Sequence, residues 1–159
     1  MKLNLLTKNI WRVATLALLM TAKLPAQWTP IYSNEDAKPV IKITLAAAAK
    51  THKRVILDFG GNWCPDCKVL DYYFHQSPND ALLAKGFLVV HVNIGNYDMN
   101  LDVAERYGVP LKRGVPALVV LDSQGRTLLV QRSGEFESMS RMQSESVTEF
   151  LKKWMPPTR

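Results

Sequence analysis

The sequence predicts an α/β domain with a central mixed sheet flanked by helices and an extra helix on its N-terminal side. Short apolar runs at Val55 to Phe59, Phe87 to Ile94 and Ala117 to Leu121 read as buried strands. Segments of helical character separate these runs. The turn Asp122-Ser123-Gln124-Gly125 leaves too little chain for anything but an antiparallel hairpin into Arg126 to Gln131.

Each element has its own local reason. Residues 27–35 form an extended lead-in containing Pro30. Asp36 to Lys50 carries Val40, Ile41, Leu45 and an alanine run, and predicts a helix. Asn34 or Asp36 stands near its start, and Pro39 fits only in its first turn. Gly60-Gly61-Asn62 stops the first strand, and a helix follows from about Cys64 to His75, with Pro65 tolerated in its first turn. Ser77-Pro78-Asn79-Asp80 is a turn before a short helix at Ala81 to Lys85. Leu101 to Tyr107 is a helix closed by Gly108, and Val109 to Gly114 is a loop. A polar stretch from Ser133 to Ser146 leads to a last helix at about Val147 to Trp154, ended by Pro156-Pro157. Helical crossovers imply parallel pairing of the earlier strands, and the hairpin adds an antiparallel edge.

The first residues read differently from this domain. Lys2, Lys8 and Arg12 precede the ten-residue apolar run Val13 to Ala22, which is followed by Lys23-Leu24-Pro25-Ala26. That order is the pattern of a secretory signal, and the run is short for a helix that needs roughly 17–25 apolar residues to span a bilayer. The domain reading is therefore a signal over 1–26, with an uncleaved inner-membrane anchor as its rival, and a mature domain over 27–159. It places the mature chain in the periplasm. Setting aside the four basic residues of 1–26 leaves 16 basic against 14 acidic, a net charge of +2 in place of +6. No basic cluster with interleaved aromatics remains, so the charge gives no reason to expect nucleic-acid binding.

The chain has two cysteines, in Cys64-Pro65-Asp66-Cys67. A bridge closing so short a loop is a weak structural staple, because cross-link stabilisation grows with loop length. At a helix start the same pair can do redox chemistry. The positive helix end stabilises a thiolate on the first cysteine, and the second, one turn on, resolves the mixed disulfide. This assigns Cys64 as nucleophile and Cys67 as resolver. Two readings compete: half of a zinc site, and an inert disulfide. No second cysteine pair exists, and His52, His75 and His91 lack zinc spacing, so no metal site is assigned.

The segment Phe59-Gly60-Gly61-Asn62-Trp63-Cys64-Pro65-Asp66-Cys67-Lys68 resembles the active-site segment of thioredoxin-fold proteins. The resemblance continues through Val90-His91-Val92-Asn93-Ile94, Tyr107-Gly108-Val109 and Gly114-Val115-Pro116-Ala117-Leu118, and covers roughly residues 36–153. It is similar to exported bacterial thioredoxin-like proteins and to the C-terminal domain of transmembrane thiol–disulfide interchange proteins. The resemblance implies a thioredoxin fold and a redox-active disulfide between Cys64 and Cys67. It gives Trp63 a role in shaping the substrate surface, against simple packing. It makes Pro116 a cis-proline that, after Val115, holds extended substrate. Asp58 matches the buried acid behind the cysteines, positioned to relay protons to or from Cys67; the competing reading is a strand-end acid reaching solvent.

Three departures from the family pattern stand out. His91 occupies a place where many thioredoxins have lysine, which makes a proton relay more pH-sensitive or else leaves an ordinary strand residue. Pro65-Asp66 stands between the cysteines where thioredoxin has Gly-Pro. A carboxylate there disfavours the thiolate, and so favours a reductant, unless Asp66 points into water. The loop Val109 to Gly114 is three residues longer than usual, as a partner contact or a tolerated insertion.

The function expected is a thiol–disulfide oxidoreductase acting on protein disulfides in the bacterial envelope, as a reductant and a monomer. It needs no bound cofactor, since the cysteines carry the electrons, and it needs a membrane-bound or other thiol redox partner to reset it. The alternative is a thioredoxin-fold metal-binding or copper-handling chaperone using the same sulfurs.

Overall fold

The computed structural model describes residues 30–157, so the charged start, the apolar run and the signal boundary lie outside the described residues. No helix among the described residues is long and apolar enough to cross a membrane.

Among the described residues, five α-helices and four strands follow in the order α1 (Ala37–Thr51), β1 (Arg54–Gly60), α2 (Pro65–Phe74), α3 (Asn79–Gly86), β2 (Phe87–Asn93), α4 (Leu101–Tyr107), β3 (Ala117–Leu121), β4 (Thr127–Val130) and α5 (Ser144–Lys153). Single 3₁₀ turns at Leu111–Arg113 and Met139–Arg141 interrupt the two long loops. The strands form one mixed sheet in the order β2-β1-β3-β4. Asp36 caps α1 by accepting from the Lys38 N–H at 2.9 Å, which satisfies one of the unpaired donors of the first turn.

β1 is the spine. Its residues from Val55 to Gly60 are all buried, because the strand has a neighbour on each edge and helices over both faces. Alternation along it separates two cores. Val55, Leu57 and Phe59 pack with Val90, Val92, Val119 and Leu121 beneath α1 and α4. Ile56 packs with Leu118, Leu70, Phe74, Met139, Val147 and Leu151 beneath α2 and α5. Asp58 falls on the face of Ile56, toward α2.

Parallel pairing holds for β1 with β2 only; β3 runs antiparallel to β1. The expected parallel crossover fails at this connection for a geometric reason. β2 ends with Asn93 beside Gly60, and β3 begins with Ala117 beside Phe59, at the same end of the sheet. The intervening chain therefore leaves and returns at one end. α4 has only seven residues, and the left-handed Gly108 (φ 69°) turns the chain back behind it.

The last helix also starts earlier than the apolar pattern indicates, at Ser144 rather than Val147. Its first turn is anchored by the buried Asn79, whose amide donates to Ser144 Oγ at 3.1 Å and accepts from Thr148 Oγ1 at 2.6 Å. These bonds tie α5 to the start of α3.

Candidate active site

Cys64 and Cys67 form a disulfide with Cα atoms 5.3 Å apart. Cys64 is the N-cap residue of α2, with extended backbone, and Pro65 occupies the first turn. The cap geometry aims the Cys67 backbone N–H at Cys64 Sγ, 3.1 Å away. A negative sulfur at this point would meet both that N–H and the positive helix end. Cys64 is 3% exposed and Cys67 wholly buried, so the first cysteine is the more exposed of the two.

The wall opposite the disulfide is the Val115–Pro116 peptide, which is cis. The Val115 carbonyl oxygen lies 3.5 Å from Cys64 Sγ. Trp63, next to Cys64 in the chain, is 47% exposed. Its indole N–H donates to the Gly95 carbonyl at 2.6 Å, and its ring lies 5.8 Å from that of Tyr97. A polar cleft lined by Asn34, Asn62, Asn93, Asn96, Asp98 and Met99 opens next to it.

Asp58 is completely buried, which excludes the solvent-reaching reading. Its Oδ2 accepts from Tyr32 Oη at 2.8 Å and lies 2.8 Å from His91 Nδ1. A carboxylate only accepts, so Nδ1 is the donor when Asp58 is ionised. Oδ1 has no hydrogen-bond partner among the described residues. Burial opposes a charge on His91, but the hydrogen bond and charge of Asp58, with help from Asp71, outweigh it and raise the imidazole pKa. Burial, followed by the charge of Asp58, pushes the Tyr32 phenol far up, so it stays protonated.

His91 is thus no ordinary strand residue. It joins the buried acid to a cavity of about 240 Å³ lined by Asp71, Phe74, His75, Asp80, Leu83 and Val89. Tyr32 is the residue that sequence reasoning missed. The one available signal was Asp58 itself, since a buried carboxylate needs donors.

Two further positions have a defined geometry. Asp66 does not simply face water: its Oδ1 accepts from the Ser140 backbone N–H at 2.7 Å, fixing the Met139–Arg141 turn over α2. The segment 109–114 folds into the 3₁₀ turn Leu111–Arg113, and Gly114 behind it has φ 104°, directly before Val115.

A family model described as thioredoxin-like matches residues 38–123. The crystal structure of a disulphide isomerase from Xylella fastidiosa Temecula1 is 38% identical, with a TM-score of 0.76, over 79% of this chain and 97% of that one. The C-terminal domain of DsbD from Neisseria meningitidis, in the reduced form, shares the fold at 20% identity and a TM-score of 0.53, over 73% of this chain and 95% of that one. The thiol:disulfide interchange protein DsbD of Photorhabdus laumondii is 29% identical over 92 residues. That match takes in 57% of this chain and 16% of that protein, so the chain spans a small part of its length.

Proposed function

From the premise that the chain belongs to the thioredoxin-like family, we propose that it is a thiol–disulfide oxidoreductase of the bacterial envelope that reduces disulfides in other proteins. The observation that carries this reading is the Cys64–Cys67 disulfide at the N-terminus of α2, facing the Val115–Pro116 peptide.

Cys64 is the nucleophile. It is the more exposed of the two cysteines and its sulfur receives the Cys67 N–H, the arrangement that stabilises a thiolate. It attacks a partner disulfide and forms a mixed disulfide; Cys67, one turn deeper, attacks Cys64 Sγ and releases the reduced partner. Val115 and Pro116 line the groove for an extended segment of substrate, and Trp63 forms its other side. Asp58 takes up the proton that Cys67 must lose.

The reducing direction draws support from Asp66, a carboxylate in the first turn of α2 that opposes negative charge on the neighbouring sulfur. Envelope location draws support from the basic start and short apolar run of residues 1–26, and from relatives named as disulfide isomerase and thiol:disulfide interchange proteins. A reductant there needs a membrane-bound or other thiol redox partner to reset it.

The test is insulin reduction by the reduced protein, with capture of partners on a Cys67→Ala variant. The expected result is turnover by the wild type and mixed disulfides through Cys64 in the variant. A Cys64 inert to thiol probes, with no captured protein, would sink the reading. Fractionation of cells making the full chain should recover a species starting near residue 27 in the periplasm.

A further inference from the structure

Tyr32 comes from the lead-in before α1 and lies outside the segment matched by the family model. It is nonetheless wholly buried at the centre of the site. Its hydroxyl donates to Asp58 Oδ2 at 2.8 Å. The same hydroxyl and the sulfur of Cys67 both approach Gly60. A Cβ built on Gly60 would stand 2.5 Å from Tyr32 Oη and 2.8 Å from Cys67 Sγ, so both atoms crowd one point above that glycine. Asn62 holds the lead-in here, accepting from the Tyr32 N–H at 3.1 Å and donating to its carbonyl at 2.8 Å.

We propose that the Tyr32 hydroxyl is the proton bridge between Cys67 and Asp58, taking the thiol proton while passing its own to Asp58 Oδ2.

The proposal rests on the oxidoreductase reading and assigns one step within it. In the mixed disulfide, Cys67 is a thiol and must become a thiolate to attack. In one concerted step the Cys67 S–H proton moves to Tyr32 Oη and the Tyr32 O–H proton moves to Asp58. The thiolate then forms the bond to Cys64 Sγ and breaks the bond from Cys64 to the partner sulfur. Cys64 and Cys67 are oxidised, the partner disulfide is reduced, and the partner thiolate takes a proton from solvent. Asp58 re-equilibrates with solvent on the side of His91.

The surroundings suit this step. Tyr32 stays neutral throughout, because burial and the Asp58 charge forbid a free phenolate. The groups facing Asp58 are Tyr32 from the lead-in and His91 from β2; Asp71 from α2, itself near His75, acts on both His91 and Tyr32. With Oδ1 unpartnered among the described residues, the carboxylate has capacity for the proton.

The test is Tyr32→Phe, which keeps the ring and removes the hydroxyl. Formation of the mixed disulfide with a small aromatic disulfide and its resolution by Cys67 are timed separately. At pH 7 the variant should form the adduct at the wild-type rate and resolve it at least tenfold more slowly. The deficit should close as pH rises through the ordinary thiol range near 8.5, where solvent base removes the proton. An undiminished resolving rate, or a deficit of equal size at every pH, would overturn the proposal, since packing loss carries no such profile. If the variant does not fold, the wild-type resolving step in mixed light and heavy water decides. Two protons in flight give a curved dependence on deuterium fraction; a straight line contradicts the bridge. A wild type that forms no adduct would instead refute the oxidoreductase reading.

Discussion

His91 Nδ1 lies 2.8 Å from Asp58 Oδ2, and the two residues face each other on one rung of the parallel ladder between β1 and β2. The pair joins a wholly buried carboxylate to a ring that is partly exposed at a cavity. Its charge state therefore couples the fold to solvent pH.

The sign of that coupling follows from the raised His91 pKa, in which the attraction of Asp58 and Asp71 exceeds the burial penalty. Stabilisation by the protonated ring is complete below the ordinary imidazole value near 6.5 and is lost as pH rises through the higher folded value. His91→Leu should cost about 1.5–3 kcal/mol at pH 6, the size of a hydrogen bond to a charged group. The cost should shrink toward pH 9. Urea unfolding of both proteins across that range measures it, and a pH-independent difference would contradict the ion pair.

Asp58→Asn separates the proton acceptor from the architecture. The amide oxygen can still accept from Tyr32, so the lead-in stays docked, but an amide cannot take up a proton as a carboxylate can. Insulin reduction should fall roughly 10²-fold, the low end for general acid–base catalysis. Alkylation of Cys64 in the reduced variant should remain fast. Equal loss of both would place the defect in the fold.

Asp66→Asn tests the direction of electron flow. The amide keeps an oxygen for the Ser140 N–H, so the Met139–Arg141 turn stays tied while the charge is removed. Loss of the carboxylate eases negative charge on Cys64, which favours the reduced pair. The glutathione equilibrium should shift about two- to tenfold toward the dithiol, or up to about 30 mV more oxidising. A shift the other way, or a strongly oxidising wild type, would remove the argument for a reductant.

The sequence made some of this legible and hid the rest for identifiable reasons. Strand β1, the helix opened by Cys64 and the hairpin between β3 and β4 are written in short-range pattern: an apolar run, Gly-Gly before the cysteines, and turn residues at 122–125. The direction of β3 is not local. It depends on the end of the sheet to which the chain returns after α4, and the helix between β2 and β3 led to a parallel reading that the sheet does not follow. Asp58 declared itself as an acid inside an apolar strand, whereas its partner Tyr32 sits 26 residues earlier in a lead-in with no periodicity. The contact of Asp66 with Ser140 spans 74 residues and uses a backbone N–H, which no side-chain pattern records.

Gly60 provides the sharpest steric test of the same site. It ends β1 with no unusual backbone angle to demand glycine, so the constraint lies in what surrounds it. A Cβ there would lie 2.5 Å from Tyr32 Oη, 2.7 Å from Tyr32 Cζ and 2.8 Å from Cys67 Sγ, all inside contact distance. Tyr32 is wholly buried and held through its backbone by Asn62, so it has little room to yield. Overpacking of this kind costs about 1–3 kcal/mol. Gly60→Ala should lose that much stability in denaturant unfolding. Its larger effect should fall on turnover, because the methyl displaces Tyr32 from Asp58 and Cys67 together. Combining Gly60→Ala with Tyr32→Phe separates the two effects: removing the hydroxyl relieves one of the three clashes and leaves those with the ring and with Cys67 Sγ, so the combined loss should be smaller than the sum of the single losses. Fully additive losses in the double variant would mean that the glycine and the tyrosine serve the site independently.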